Sequence, residues 1–309
     1  MEVANICLIS RHYLEEITTN QSHTIDISFA KKNHGIINSP SISRDLKQQI
    51  VDMLTEDVRK QISKNKIVDY QAIGVLDGEI EQIKVSDVIP DKEEQLERVF
   101  VINISDEKKF DWGNVDYYVI EIEAQGKVLK LYRQFQKMKR LRKGIMLQTF
   151  SDELVRMDSD FIAIDETVDI LEWEEELLIF NHIALERIFG YRDLFEKKTK
   201  EAIGIIKNKD IFENIEEFQE ACMRDGRIQK RFTNIMQNER LPLFFKNLNK
   251  VPKLVKDLNL HLEFSDNGKL LYTDRKQLYE ITNLMNDAYF RSLLADRIGV
   301  AKLEGVLEE

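Results

Sequence analysis

Hydrophobic positions in the first part of the chain alternate over short stretches and then take up a helical spacing. The stretches Asn5–Ile9 and Thr24–Phe29 are typical of short strands. A helix is predicted to begin near Ser43. Its inner face recurs every four residues, as a core-facing helix requires, at Leu46, Ile50, Leu54, Val58 and Ile62, with Met53 beside them. The pattern predicts a sheet with one long helix.

A second group of alternating stretches predicts an antiparallel meander. Asp77-Gly78 supplies the positive φ values of a two-residue turn, so Val68–Val75 and Ile80–Val85 are predicted to form a hairpin. Three further strands are predicted at Val99–Ile104, Tyr117–Ile122 and Lys127–Phe135. The last two are joined by a turn at Gln125-Gly126.

Beyond about residue 148 the spacing becomes mainly helical. The predicted strands are Phe161–Ile164, Val168–Leu171 and Leu177–Phe180, and the predicted helices are Ile183–Lys207, Glu213–Gln237 and Leu243–Lys256. A hairpin follows in LHLEFSDNGKLLYT. Asp274 and Gln277 then form a capping box that begins the last helix, with Leu278, Ile281 and Met285 on its inner face.

The fold class predicted from these elements is α+β, with an N-terminal antiparallel sheet and a long helix followed by a mostly helical α+β C-terminal region. A chain of 309 residues is long enough for two domains of ordinary size or for one large one, and its 43% hydrophobic content supports a real core. We predict residues 1–148 as an α/β sheet domain that ends in a basic stretch, and residues 149–309 as a mostly helical domain.

The sequence also predicts a cytoplasmic protein without direct membrane insertion. Its longest apolar runs, such as Leu177–Phe180, fall far short of the roughly 18–20 residues that span a bilayer. The start, MEVANICLIS, lacks the basic and long apolar regions of a secretory signal. Cys7 and Cys222 are too far apart to form a disulfide framework, which suits a reducing compartment.

Charge is distributed unevenly along this acidic chain. Lys and Arg number 45 against 55 Asp and Glu, for a net charge of −10, yet residues 124–151 contain eight basic residues and no acidic one. A second segment, Arg224–Lys256, contains nine basic residues against Asp225 and Glu239. If both segments line one groove, they form a surface that follows a phosphate backbone. A solvated face that neutralises nearby acidic surface is the alternative.

Strand alternation places the side chains of the first basic segment. Leu129, Leu131 and Phe135 fall on one face of the strand, with Lys130 and the other even-numbered residues opposite. Arg133 interrupts the apolar face, so it needs a partner or an exit to solvent, and a buried structural ion pair is the alternative there. The predicted DNA-binding residues are Lys130, Arg133, Lys137, Lys139, Arg140, Arg142, Lys143, Arg227, Lys230 and Arg231.

Other chemistries find little support in the sequence. No phosphate-binding glycine motif, nucleophile elbow or paired-histidine spacing occurs, so we expect no cofactor, no metal site and no catalytic residue. A metal-dependent nuclease remains an alternative because Glu107-Lys108-Lys109 follows a predicted strand and acidic residues are dense between Asp158 and Asp169. No base-reading module is present, so binding without sequence preference is expected.

Four short motifs carry a family resemblance. They are LYRQF at 131–135, DFIAIDETVDIL at 160–171, NHIALERIFGY at 181–191 and TNLMNDAYFRSLL at 282–294. In this order they resemble the KwaB-like family of the Kiwa anti-phage defence system over roughly residues 115–297. Within the motifs, Ile183, Leu185, Ile188 and Phe189 are predicted to be core, and Asn286 and Asp287 to cap or end a helix.

The resemblance implies a cytoplasmic effector that binds the duplex DNA of an invading phage and obstructs its replication or expression. It also implies a small membrane partner, KwaA, that recruits the chain to the inner face of the membrane. We expect a homodimer or higher oligomer, because engaging several partner copies increases avidity. The family carries no established catalytic residue. Two alternatives stay open: a nuclease of the same defence context, and an adaptor whose basic face meets anionic lipid or the membrane partner.

Overall fold

The computed structural model describes residues 24–31, 35–39, 41–88, 115–124, 126–135, 147–150, 153–156, 164–292, 294 and 296–301. The chain divides into two compact units. The sheet unit comprises the described residues up to Ile67 and those from Gln82 to Gly190. The helical unit comprises Val68–Glu81 and the described residues from Tyr191 onward. The predicted boundary at residue 148 stays a prediction.

Strands of the described residues are numbered in chain order. They are β1 Thr24–Lys31, β2 Gly35–Asn38, β3 Lys66–Asp69, β4 Glu79–Lys84, β5 Tyr117–Ala124, β6 Lys127–Gln134, β7 Leu147–Phe150, β8 Glu153–Arg156, β9 Ile170–Trp173, β10 Glu176–Ile179, β11 Glu263–Phe264, β12 Leu270–Leu271, β13 Tyr289–Arg291 and β14 Ile298–Val300. The main sheet has eight strands in the order β2-β1-β5-β6-β9-β10-β4-β3. The predicted hairpin β11–β12 is confirmed.

Helices of the described residues are numbered in the same way. They are α1 Arg44–Lys64, α2 Val85–Val88, α3 His182–Phe189, α4 Arg192–Asn208, α5 Ile215–Arg224, α6 Gly226–Gln237, α7 Arg240–Lys246, α8 Val251–Asp257 and α9 Arg275–Met285, with a 3-10 turn at Leu248–Lys250. An antiparallel sheet with one long helix is thus followed by mostly helical sequence, which confirms the predicted α+β class.

The predicted alternation on β6 is confirmed by its register with the neighbouring strands. Ile120, Leu131 and Leu171 lie side by side on β5, β6 and β9, and each is at most 1% exposed. Glu121, Lys130 and Glu172 form the corresponding row on the opposite face. Gly126 makes the turn between β5 and β6 with φ of 75°, a conformation that glycine adopts without a steric penalty.

The long helix α1 begins where the sequence predicted. Ser43 caps it, and its hydroxyl accepts a hydrogen bond from the Leu46 backbone N–H at 3.4 Å. The buried stripe contains Ile50, Val51, Leu54, Val58 and Ile62. Leu46 was predicted to belong to this stripe, which is wrong, since it lies in the first turn and is 48% exposed.

The core of the helical unit is formed by apolar faces of α4 to α9. It includes buried Ile203, Phe218, Phe232 and Ile281, which come from four different helices. Phe212 stacks on Phe218 with ring centroids 4.4 Å apart. The predicted capping box of α9 is confirmed, because the Asp274 side chain accepts a bond from the helix backbone while Gln277 binds back to the cap.

The predicted hairpin around Asp77-Gly78 is wrong in its turn and in its first strand. Nine residues separate the end of β3 at Asp69 from the start of β4 at Glu79, and Gly78 has a positive φ of 89° without joining the strands by a two-residue turn. In this segment, side-chain oxygens accept hydrogen bonds from backbone N–H groups that would have paired with a neighbouring strand in the predicted hairpin. The N–H of Gln71 donates to Glu81, and the N–H of Ala72 donates to Gln237, at 3.0 and 3.1 Å.

Three predicted long helices are each broken in two. Gly190 ends α3 in the left-handed conformation with φ of 71°, Asp225 separates α5 from α6, and the 3-10 turn separates α7 from α8. Within α3, Leu185 and Ile188 are buried as predicted and Phe189 is partly buried. Ile183 was predicted to be core, which is wrong: it lies in the first turn of α3 and is 56% exposed.

Some predicted elements lie outside the described residues. These are the strands Asn5–Ile9 and Val99–Ile104, and most of Phe161–Ile164. Across the part of the chain that the structure describes, no helix combines the length and the apolar character needed to cross a membrane.

Candidate nucleic-acid interface

Helix α6 presents three of the predicted DNA-binding residues on one element. Its buried side contains Ile228, Phe232 and Ile235, whose spacing is that of an amphipathic helix. Arg227, Lys230 and Arg231 are therefore excluded from the core side, and none of the three is buried.

The start of α6 is held by a carboxylate that serves two partners. Asp225 accepts a hydrogen bond from the Arg227 backbone N–H at 3.0 Å and caps the helix. The same side chain accepts two bonds from the Arg275 guanidinium on α9, at 3.1 and 2.5 Å. Burial opposes ionisation of Asp225, but the Arg275 bond and the helix N–H groups outweigh it and lower its pKa below the ordinary 3.8.

Arg231 is surrounded by neutral polar and aromatic groups. Its Nη1 donates to the Asn283 side-chain oxygen, and its guanidinium lies 5.1 Å from the centroid of the Tyr279 ring. Burial lowers the pKa of Arg231, and Tyr279 and Tyr289 only partly offset this effect. Among the described residues, none supplies a carboxylate within ion-pair distance of this guanidinium, so its positive charge is not neutralised by the protein around it.

The other two basic residues of α6 differ in their surroundings. The Lys230 ammonium lies over the Phe195 ring of α4, 5.7 Å from its centroid. Arg227 is exposed, and its side chain makes no ion pair with any residue the structure describes. Arg227 and Arg231 are four residues apart on the helix, so they lie on the same face one turn from each other.

The rest of the second basic segment lies on and around α7 and α8. Within the described parts of the chain, four exposed lysines there have no ion-pair partner: Lys246, Lys250, Lys253 and Lys256. Arg224, by contrast, pairs with Glu220 one turn earlier on α5. The segment therefore contains more positive charge than its own carboxylates neutralise.

The first basic segment is described only in part. Lys137, Lys139, Arg140, Arg142 and Lys143 lie outside the described residues. Lys130 lies on β6 between two carboxylates, with its Nζ 3.8 Å from Glu121 and 3.7 Å from Glu172. The charge of Lys130 is thus engaged within the sheet.

Arg133 makes a buried ion-pair network on the apolar face of β6. Its Nε and Nη2 donate to the two carboxylate oxygens of Asp165, at 3.0 and 2.6 Å, and its Nη1 donates to Asp169 at 2.8 Å. Burial lowers the pKa of the guanidinium, but the hydrogen bonds and charges of both aspartates outweigh it and raise the pKa. This arrangement is the buried structural ion pair that sequence analysis gave as the alternative role of Arg133.

Asp169 joins three of the family motifs at this point. Its side chain is 0% exposed and accepts bonds from the Gln134 backbone N–H at 2.7 Å and the Asn181 amide at 2.8 Å, in addition to Arg133. Asn181 in turn caps α3. Sequence analysis named the three motifs but did not connect them, because the side chains meet only after β6 and β9 have paired.

The opposite face of the same strands has a buried polar pair that sequence analysis missed. The Tyr132 hydroxyl donates to Glu172 at 2.5 Å, and both residues are buried. Burial, reinforced by the Glu172 charge, raises the pKa of Tyr132 well above its ordinary value. The phenol therefore acts as a permanent donor to this carboxylate at neutral pH.

No cluster of three or more His, Cys, Asp or Glu side chains placed to hold a metal ion occurs in the described ranges. The free thiol of Cys222 is buried in the core of the helical unit, which strongly raises its pKa.

Comparisons with known proteins agree with the motifs. Searches of curated proteins and of solved structures found no match. A family model described as "Kiwa protein KwaB-like" matches residues 112–295, a range that contains all four motifs. Because this match covers more than half of the 309 residues, the chain belongs to the KwaB-like family of Kiwa proteins.

Proposed function

We propose that this component of the Kiwa anti-phage defence system binds the duplex DNA of an invading phage through its backbone phosphates and so obstructs replication or expression. Membership of the family supports the defence role. The DNA ligand is inferred from charge, because duplex DNA is a dense polyanion that attracts clustered Lys and Arg without sequence preference.

One observation carries the proposal. Several cations of α6 to α8 lack carboxylate partners among the described residues, whereas the chain as a whole has a net charge of −10. Arg227, Arg231 and Lys253 are examples. Positive charge left uncompensated in an acidic protein favours a polyanionic ligand over a merely solvated surface.

The two basic segments contribute differently in this proposal. Lys130 and Arg133 already have carboxylate partners, so we assign them to the architecture of the sheet and not to direct phosphate contact. Phosphate contacts are assigned to the second segment and, from the first, to the predicted outward residues Lys137, Lys139, Arg140, Arg142 and Lys143.

Binding of DNA without cleavage is part of the same proposal. Incubation of the purified protein with plasmid and Mg²⁺ or Mn²⁺ distinguishes it from the nuclease alternative. We expect the plasmid to be retarded but to keep its length and topology. Nicked or shortened DNA would replace the binding effector with the nuclease.

The salt dependence of binding tests the proposal directly. Affinity for unrelated duplexes should be similar and should fall steeply with salt, by a log–log slope of about 0.9 per phosphate contact. Affinity that does not respond to salt, or a strong preference for one short sequence, would contradict it.

Charge reversal assigns the contacts to segments. One variant changes Lys139, Arg140, Arg142 and Lys143 to Glu, and a second changes Arg227 and Lys230 to Glu. Each should weaken DNA binding by at least about tenfold and lower the salt slope. The matched control changes Lys207 and Lys269 to Glu, two lysines of the helical unit whose charges are already paired with Glu216 and Asp210. If the control loses as much affinity as the second variant, binding responds to net charge alone.

A further inference from the structure

The surroundings of Arg231 on helix α6 differ from those of Arg133 and Arg275. Arg133 lies against two aspartates and Arg275 against one, so the protein neutralises both charges. Arg231 instead contacts Asn283 and Tyr279, which are neutral. A guanidinium held by an amide and an aromatic ring keeps its full charge while its orientation is restrained.

The neutral surroundings of Arg231 come from two further elements. Asn283 and Tyr279 are one turn apart on α9, and Tyr289 begins β13. Burial raises the pKa of the Tyr289 phenol while Asn283 and Arg231 oppose that rise, so these side chains form one cluster. Asn283 and Tyr289 belong to the fourth family motif, TNLMNDAYFRSLL, whose polar residues the DNA-binding prediction had not used.

We propose that Arg231 is the anchoring contact of the α6 surface, a preoriented guanidinium that receives one phosphate oxyanion of the nucleic acid. Asn283 and Tyr279 are positioning residues that hold the planar donor fork in place. This inference rests on the proposed function and adds a division of roles within it. Arg231 supplies an ordered, partly desolvated contact, and Arg227, one turn away, supplies a flexible charge.

Partial burial is the physical reason for that division. A charge-assisted hydrogen bond gains strength where the local dielectric is low, and a fixed donor loses little side-chain entropy on binding. Arg227 is exposed and makes no described ion pair, so it must be ordered by the ligand and is screened by salt. Arg227 and Arg231 are therefore expected to contribute unequally to DNA affinity, although they are only four residues apart.

The decisive variant is Asn283→Asp, which is nearly isosteric. It places a carboxylate on the atom that already accepts from Arg231 and so converts this guanidinium into a neutralised one, like Arg133. We expect the protein to keep its fold and to lose DNA affinity by about tenfold or more, with the salt slope lower by about 0.9. A merely structural Arg231 predicts unchanged DNA binding, since a new ion pair preserves or increases stability.

Two arginine-to-lysine variants give a second readout that does not depend on Asn283→Asp. Arg231→Lys keeps the charge but loses the planar fork and its stacking, so affinity should fall about tenfold with the salt slope unchanged. Arg227→Lys, the matched control, should change affinity less than about twofold, because a flexible charge is retained.

The possible outcomes separate the two proposals. If the wild-type protein does not bind duplex DNA, the proposed function fails. If the wild type binds DNA and both Asn283→Asp and Arg231→Lys bind as it does, the anchoring role is overturned while the proposed function stands. Should Asn283→Asp fail to fold, as judged by circular dichroism, the lysine pair decides: equal losses for Arg231→Lys and Arg227→Lys overturn the anchor.

Discussion

At the scale of single residues, the same side-chain type serves opposite purposes according to its partners. Arg133 and Arg231 were both predicted to bind DNA, yet two aspartates surround one, and an amide and aromatic rings surround the other. A paired buried arginine contributes to the fold chiefly because removing it would leave its partners uncompensated. An unpaired one leaves its charge available to a ligand.

Arg133→Ala tests this structural role. The substitution leaves the fully buried Asp169 and its neighbour Asp165 without their cation, so we expect the free energy of unfolding to fall by about 3–5 kcal/mol. Urea denaturation at neutral pH measures the change. Arg192→Ala is the matched control, since Arg192 is 80% exposed in its pair with Glu196. This substitution should lower the free energy of unfolding by less than about 1 kcal/mol. Similar losses in both variants would contradict a buried network.

At the scale of elements, helix ends decide where this chain turns. Gly190 and Asp225 divide sequence that reads as continuous helix, one through a left-handed conformation and the other through a side-chain cap. Periodicity runs through both positions, which is why sequence analysis joined the helices across them. The break at Asp225 matters for the proposed DNA contact, since it sets the start of α6 and the register of its arginines.

Two glycine substitutions separate backbone conformation from packing. Gly190→Ala places a side chain at φ of 71°, so we expect a loss of about 1 kcal/mol in the free energy of unfolding. Gly204→Ala, inside α4, meets no atom within 4 Å of the added Cβ and should stabilise the protein by about 0.5–1 kcal/mol. Thermal or urea unfolding measures both changes. A stabilising Gly190→Ala would refute the left-handed cap.

The pH dependence of stability tests the role of ionised Asp225 at the junction of α5 and α6. Its pKa is lowered in the folded state, so ionised Asp225 contributes stability above pH 3.8 and loses that contribution as the pH falls through the lowered folded value. Asp225→Asn should therefore be less stable than wild type at pH 7, and the difference should shrink below pH 3.8. Urea denaturation of both proteins across this range measures it. A difference in stability that stays constant with pH would show that ionisation of Asp225 does not stabilise the junction of α5 and α6.

At the scale of the whole molecule, charge and hydropathy constrain how the chain meets a membrane. No described helix can span a bilayer, and a net charge of −10 is repelled on balance by an anionic leaflet. Membrane recruitment, which the family resemblance implies, is proposed to act through KwaA. Engagement of several KwaA copies by a homodimer or higher oligomer would strengthen it through avidity.

Cell fractionation tests the recruitment. Expressed alone, the protein should be found in the soluble fraction, and expressed with KwaA it should move to the membrane fraction. Membrane association without KwaA would favour the adaptor alternative in which a basic face meets anionic lipid. Persistent solubility in the presence of KwaA would contradict recruitment by this partner.

What the sequence by itself determined about this protein is largely local. The Ser43 cap, the capping box of Asp274 with Gln277 and the turn at Gly126 each involve residues within a few positions of one another, so their geometry follows from the chain alone. The alternation on β6 could also be predicted from the sequence, because successive side chains of a strand must point to opposite faces. The four motifs likewise identified the family before any fold was known.

Tertiary structure alone decided which charges are already paired. Arg133 meets Asp165 across 32 positions, Arg231 meets Asn283 across 52, and Gln237 takes the backbone donor of Ala72 across 165. No local pattern specifies such contacts, since they follow from the pairing of strands and the packing of helices. A basic residue in the sequence therefore indicates a charge, and only its folded surroundings determine whether that charge stabilises the protein or remains available for a ligand.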